Sequence, residues 1–236
     1  MSENTIKTIG ILGGMGPEAT VFFYQKILSL TPAAKDQDHI PTLIYSNPHI
    51  PDRSQAILSR EDDSIIFQLQ QSTQILKQGG AAFVVIPCNN AHYWIPQIRE
   101  AVDIPIMDMI EETLKHLEKK GISQVGLLAT EGTLKSQIYP MKSKDRLEII
   151  VPPDTLSQEV MSTIRQIKAG SRAKSLYEPI DQARAWFQRQ GIDKIILGCT
   201  ELPLLYTDAR DIEWFVDPMD LLAQRAIAVA TGKETP

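Results

Sequence analysis

Val84-Val85-Ile86-Pro87-Cys88-Asn89-Asn90-Ala91-His92 reads as a buried strand that runs into a tight turn with a thiol at the turn. Ile195-Ile196-Leu197-Gly198-Cys199-Thr200-Glu201 repeats the arrangement later in the chain. The sequence holds only 2 cysteines, and each follows an apolar strand beside small hydrogen-bonding residues. Two matched thiols at two matched strand ends predict a site with a thiol on each side of a substrate. That is the shape of an acid/base pair.

The repeat extends outward from the cysteines. Thr8-Ile9-Gly10-Ile11-Leu12 matches Gln124-Val125-Gly126-Leu127-Leu128, and Ile86-Pro87-Cys88-Asn89 matches Leu197-Gly198-Cys199-Thr200. Ile106-Met107-Asp108-Met109-Ile110 is aligned with Val216-Asp217-Pro218-Met219-Asp220, a helix following each. Between these landmarks apolar strands alternate with helical patterns, which argues for parallel sheets covered on both faces. The fold class is therefore α/β, with two pseudo-symmetric lobes, each a parallel sheet flanked by helices. The first spans residues 1–107, with the C-terminal helix 218–236 packing back on it, and the second spans 108–217. In such sheets ligands bind outside the carboxyl ends of the strands, so the site belongs in the cleft between the lobes.

Local signals fill in the elements. Gly13-Gly14-Met15-Gly16-Pro17 breaks the first strand, and Pro17 with Glu18 opens a helix running to about Leu30. This turn is either an anion site at a helix N-terminus or a plain tight turn; it lacks the P-loop Lys-Ser/Thr and the dinucleotide glycine spacing. Pro41 to Ser46 reads as a strand, Asn47 to Arg53 as a loop, and Glu61-Asp62-Asp63 as the acidic start of a helix ending at Gly79-Gly80. Thr130-Glu131-Gly132-Thr133 reads as a turn, with a helix starting at Leu134.

Bulk composition narrows the partners. A net charge of -5 offers no basic stripe, so nucleic acid is excluded as a partner. Met1-Ser2-Glu3-Asn4-Thr5 has no signal-peptide character, and no apolar run has membrane-spanning length. A soluble, cytoplasmic protein is expected. A structural disulfide is disfavoured there, and no Cys-x-x-Cys or His-x-x-x-His accompanies either cysteine, so no metal is expected. Inert buried fillers and reactive thiols remain, and the paired context of the two cysteines favours reactive thiols. Beside them, His92 either favours a thiolate or packs as a core residue, and Glu201 either orients a thiol or serves as a first-turn helix acid.

The set Gly13-Gly14-Met15-Gly16-Pro17-Glu18, Pro87-Cys88-Asn89-Asn90-Ala91-His92 and Gly198-Cys199-Thr200-Glu201-Leu202-Pro203 resembles the aspartate/glutamate racemase family, the aspartate branch most closely. The resemblance implies a homodimeric enzyme that needs no cofactor, pyridoxal phosphate included. It implies a small amino-acid substrate, aspartate or else glutamate, with Cys88 and Cys199 as opposed acid/base groups. By the same resemblance Arg53 holds a substrate carboxylate and Lys168 supplies a second cation. Met15, Gly16, Asn89, Thr130, Thr133 and Thr200 match positions that contact the α-carboxylate or ammonium. Asn90 is a further substrate-binding candidate at a position that departs: the family's Cys-Asn-Thr/Ser-Ala-His reads Cys-Asn-Asn-Ala-His here, which puts substrate fit there in question. Maleate isomerisation, hydantoin racemisation and non-catalytic binding of a small molecule are the rival readings.

Overall fold

A computed structural model describes residues 6–144, 146–206 and 213–235. Met1 to Thr5 and Pro236, the last residue of the expected closing helix, lie outside them. In chain order the first half comprises β1 (Ile9–Gly13), α1 (Pro17–Leu30), β2 (Thr42–Ser46), α2 (Arg53–Ser59), α3 (Asp63–Gln78), β3 (Phe83–Val85) and α4 (Ile95–Ala101). Then come α5 (Met109–Lys119), β4 (Gln124–Ala129), α6 (Glu131–Ser136), α7 (Ile138–Ser143), β5 (Glu148–Ile150), α8 (Asp154–Lys168) and α9 (Tyr177–Arg189). The chain closes with β6 (Ile195–Gly198), β7 (Phe215–Val216) and α10 (Pro218–Ala230).

Two parallel sheets result, ordered β2-β1-β3 and β5-β4-β6-β7. A parallel bridge from Val84 to Ile106 continues the first sheet where β7 continues the second. The registers also match. Gly10 lies opposite Val84 in one sheet, and Gly126 opposite Ile195 in the other. Fully apolar strands need cover on both faces, and both sheets have it. Leu69 and Leu76 of α3 pack with Trp94 and Ile98 on one face of the first sheet. Phe23 and Ile27 of α1 pack with Met219, Leu222 and Ala226 of α10 on the other. The second sheet is covered by Ile164 and Phe187 from α8 and α9, and by Ile110, Leu114 and Leu117 of α5. Each such buried Leu, Ile or Phe contributes about 1.5–3 kcal/mol.

Three expectations need correction. The third repeat landmark is shifted by one residue. Val84 pairs with Ile106, whereas its counterpart Ile195 pairs with Phe215, so Asp108 corresponds to Asp217 rather than to Pro218. Both are helix caps: Asp108 accepts from the N–H groups of Ile110 and Glu111, and Asp217 from that of Met219. The stretch read as a loop up to Arg53 ends in a helix, because Asp52 caps α2 by accepting from the N–H of Gln55. The stretch read as a turn at Thr130 to Thr133 is likewise a cap and first turn. Thr130 accepts from the N–H of Thr133 and starts α6, which breaks at left-handed Gln137 before α7.

The glycine turn after β1 is set by packing. Gly14 has a φ of +92°, and a Cβ on it would stand 2.4 Å from the backbone of Asn47. Glycine is required there. The Gly14 N–H is already satisfied by Thr20 Oγ1 at 2.9 Å. Gly132 lets the two halves approach closely, since a Cβ on it would lie 2.6 Å from Ser54 Cα.

Candidate active site

Each cysteine sits just past the carboxyl end of a strand, Cys88 after β3 and Cys199 directly after β6. Both are free and buried, at 6% and 5% exposure. They line one cleft that contains about 300 Å³ of empty space. The first half contributes Met15, Arg53, Asn89 and Asn90 to its walls, and the second contributes Thr130, Thr133, Lys168, Thr200 and Glu201. Two opposed strand ends thus form one two-sided site, as the repeat predicts. Gly16 abuts it: a Cβ there would meet Glu201 Oε1 at 3.3 Å.

The two halves do different things to their thiols. Cys199 Sγ donates to Glu201 Oε2 at 3.0 Å, and Thr200 Oγ1 donates to the same oxygen at 3.3 Å. Burial first, and then the Glu201 charge, push the Cys199 thiol well above the ordinary cysteine range, against the pull of Lys168. Glu201 is therefore a thiol partner, buried at 4% exposure, and not a solvated helix acid. Lys168, the last residue of α8, reaches the cleft from an exposed helix end. Partial burial of its ammonium works against the charge. The negative potential of Cys199, Glu201 and Cys88 outweighs that and holds its pKa above the usual lysine value, with Arg53 opposing.

His92 stands behind the site rather than in it. Its Nε2 accepts from the N–H of Met109 at 2.9 Å, so its Nδ1 carries the proton and donates to the Cys88 carbonyl at 2.9 Å. Burial pushes its pKa down despite the nearby Asp108, and a neutral ring satisfies both bonds. His92 ties the Cys88 loop to the start of α5. It supplies no charge to a thiolate.

Arg53, the first residue of α2, is anchored by its outer nitrogens. Nη1 donates to the carbonyls of Ile50 and Pro51 at 3.0 and 2.9 Å, and Nη2 to that of Met15 at 3.3 Å. Nε is buried without a partner. The Nε–H is thus an unpartnered donor on the guanidinium edge that pairs with carboxylates.

Asn90, the position that departs from the family pattern, is engaged within the protein. Its Nδ2 donates to Ser54 Oγ at 2.8 Å and to Thr130 Oγ1 at 3.1 Å, while its Oδ1 accepts from Thr133 Oγ1. The bulkier amide bridges the two halves. Asn89 is held differently: Tyr139 Oη donates to its Oδ1 at 2.6 Å, and its Nδ2 is buried without a partner. Sequence reading missed four residues here. Asp52, Ser54 and Gly198 line the cleft. Asp52 and Ser54 flank Arg53, and an Asp-Arg-Ser triplet before a helical pattern was the available signal. Tyr139 carried none, because its role depends on a hydrogen bond to Asn89, 50 residues earlier in the chain.

Against this geometry, a family profile described as Asp/Glu/Hydantoin racemase matches residues 12–226. The chain belongs to that family. Among solved structures it is similar to the aspartate racemase of Picrophilus torridus, with 31% identity, a TM-score of 0.85, and coverage of 95% of this chain and 94% of that one. An aspartate racemase homologue from Pyrococcus horikoshii OT3 shares the fold, at a TM-score of 0.77 and 24% identity over 95% of this chain and 99% of that one. The broad specificity amino-acid racemase RacX of Bacillus subtilis (strain 168) is 29% identical over 236 residues, covering 93% of this chain and 96% of RacX. Among the described residues, no helix of this family member is long and apolar enough to cross a membrane.

Proposed function

We propose that the protein interconverts L- and D-aspartate without a cofactor, by a two-base mechanism carried by Cys88 and Cys199. The observation that supports this most is that two free, buried thiols from two equivalent strand ends line one cleft. Cys199, hydrogen-bonded to Glu201, serves as the acid for one enantiomer, and Cys88 serves as its base. As thiolate, Cys88 takes the α-proton of one enantiomer, and the electron pair left on carbon delocalises into the α-carboxylate. Cys199 then gives its proton to the opposite face of the carbon. The product is the mirror image, Cys88 is now the thiol and Cys199 the thiolate, and the pair is set for the reverse reaction.

Asn89 Nδ2, Thr130, Thr133, Thr200 and the Met15-Gly16 turn surround the α-carboxylate and ammonium. The Nε edge of Arg53 takes the second carboxylate, with Lys168 as the further cation. The enzyme acts in the cytoplasm as a homodimer. A wider substrate range is the second reading, favoured by the similarity to broad specificity RacX.

Chiral chromatography over a panel of free amino acids tests the proposal. Aspartate is expected to racemise fastest. Arg53→Ala should lower kcat/KM for aspartate by about a hundredfold, with little recovered by Arg53→Lys because the fork is lost. Equal turnover of apolar amino acids would shift the reading to broad specificity. Binding without turnover of any of them would overturn it.

A further inference from the structure

Tyr139 belongs to α7, in the second half, and its side chain is fully buried. The phenol packs in the core beneath the second sheet, beside Ile138 and Leu147. Left-handed Gln137, between α6 and α7, lets the chain turn there. Yet the hydroxyl crosses to the first half and donates to Asn89 Oδ1 at 2.6 Å. Among the described residues the Tyr139 hydroxyl has no other acceptor, so the amide orientation that uses its proton is the one with Oδ1 toward tyrosine. The opposite end of the same planar group is then fixed. Asn89 Nδ2, on a residue 4% exposed that lines the cleft beside Cys88, is left as a buried donor without a partner. Leaving a buried amide donor unsatisfied is costly, and such groups call for an explanation.

We propose that Tyr139 is a positioning residue for racemisation: its hydroxyl locks the Asn89 amide so that the Nδ2 hydrogens face the α-carboxylate of the substrate. This rests on the racemase reading above. Removing the α-proton moves negative charge onto the carboxylate oxygens, and a donor already aimed at them stabilises that charge without reorganising. Because the lock comes from the opposite half, the donor is set only when the two halves are closed on each other. Without the phenol hydroxyl the amide is free to rotate and present its oxygen to the carboxylate, where it repels.

The test is a double-mutant cycle on aspartate racemisation, with kcat and KM measured for wild type, Tyr139→Phe, Asn89→Ala and the double variant. Asn89→Ala should lower kcat by about 10²- to 10³-fold, the effect of losing one such donor. Tyr139→Phe keeps the ring in the core and should lower kcat by about tenfold, with a much smaller change in KM. The double variant should be no worse than Asn89→Ala alone, since tyrosine acts through the amide. A merely structural role would instead lower the melting temperature and multiply with the Asn89→Ala effect, and that result would overturn the proposal. So would wild-type kcat in Tyr139→Phe.

Should Tyr139→Phe fail to fold, Asn89→Asp decides. It keeps an oxygen for Tyr139 and removes the donors, so its kcat should fall as far as that of Asn89→Ala, and near-normal turnover would refute the role. A wild type inactive on every amino acid would refute the racemase reading and this role together. An active wild type matched by Tyr139→Phe would refute this role alone.

Discussion

Cys199 is kept protonated by what lies within two residues of it. Glu201 accepts a hydrogen bond from its thiol at 3.0 Å, and burial denies the thiolate water. Replacing the carboxylate by an amide removes the repelling charge and leaves the burial, so the pKa of Cys199 should fall. In a Cys88→Ala background, the pH midpoint of iodoacetamide alkylation at Cys199 is therefore expected to lie lower in Glu201→Gln than with Glu201 intact. An equal or higher midpoint would mean that Glu201 does not hold the proton. Much at this scale was legible in the sequence. The paired cysteines, Arg53, Lys168 and the three threonines all reach the cleft walls. The roles that stayed open were those set by tertiary partners. His92 looked equally like a helper and a filler until the N–H of Met109 fixed its tautomer. Asn90 read as a substrate contact of doubtful fit, and in the fold its amide is occupied by Ser54, Thr130 and Thr133.

Among the helices, α5 and α10 are equivalent elements with equivalent starts. Asp108 caps α5 and pairs with Lys142 of α7, while Asp217 caps α10 and pairs with Lys26 of α1 at 3.0 Å. Asp217 is the costlier cap. Burial raises its pKa to about 6, Lys26 opposing and Asp220 reinforcing. A carboxyl that holds its proton more tightly when folded makes stability fall as pH rises from the ordinary carboxylate range through about 6, after which the loss is constant. Asp217→Asn keeps an oxygen for the Met219 N–H and cannot titrate. Denaturant unfolding between pH 4 and 7 should show this slope, worth at most about 3 kcal/mol, in wild type and not in the variant. An identical slope in both would place the titration elsewhere. The one-residue misalignment of these caps in the sequence has a plain cause. Pro218 follows Asp217, so matching apolar residues alone favours a frame that matching caps does not. In the same way α2 was hidden by the prolines at 48 and 51, although Asp52 was there to cap it.

Over the whole molecule, the two sheets repeat one strand order and one register, and chain crossings at α5 and α10 join them. Helix α5, which follows the first half, covers the second sheet, and α10, which follows the second half, covers the first. We propose on this basis that the chain divides into lobes 1–107 and 108–217, with 218–236 returning to the first. The halves are also stitched by Asn90 to Thr130 and Thr133, by Asn89 to Tyr139, and by Glu18 to Arg172. The duplication could be read from the cysteines and their strands, because apolar parallel strands and their ends leave local signatures. The stitching could not, because each pair is remote in sequence.

On the proposed mechanism that arrangement places one thiol on each face of the substrate, and isotope transfer tests this directly. L-aspartate is supplied in deuterated water, the reaction is stopped early, and the separated enantiomers are weighed by mass spectrometry. The thiolate of one cysteine removes protium, and the thiol of the other, already exchanged with solvent, delivers deuterium. The D-product is predicted to carry an α-deuterium while recovered L-substrate remains nearly unlabelled, with the mirror result from D-aspartate. Early deuterium in the recovered substrate, matching that in the product, would contradict a two-thiol mechanism even if both cysteines proved essential.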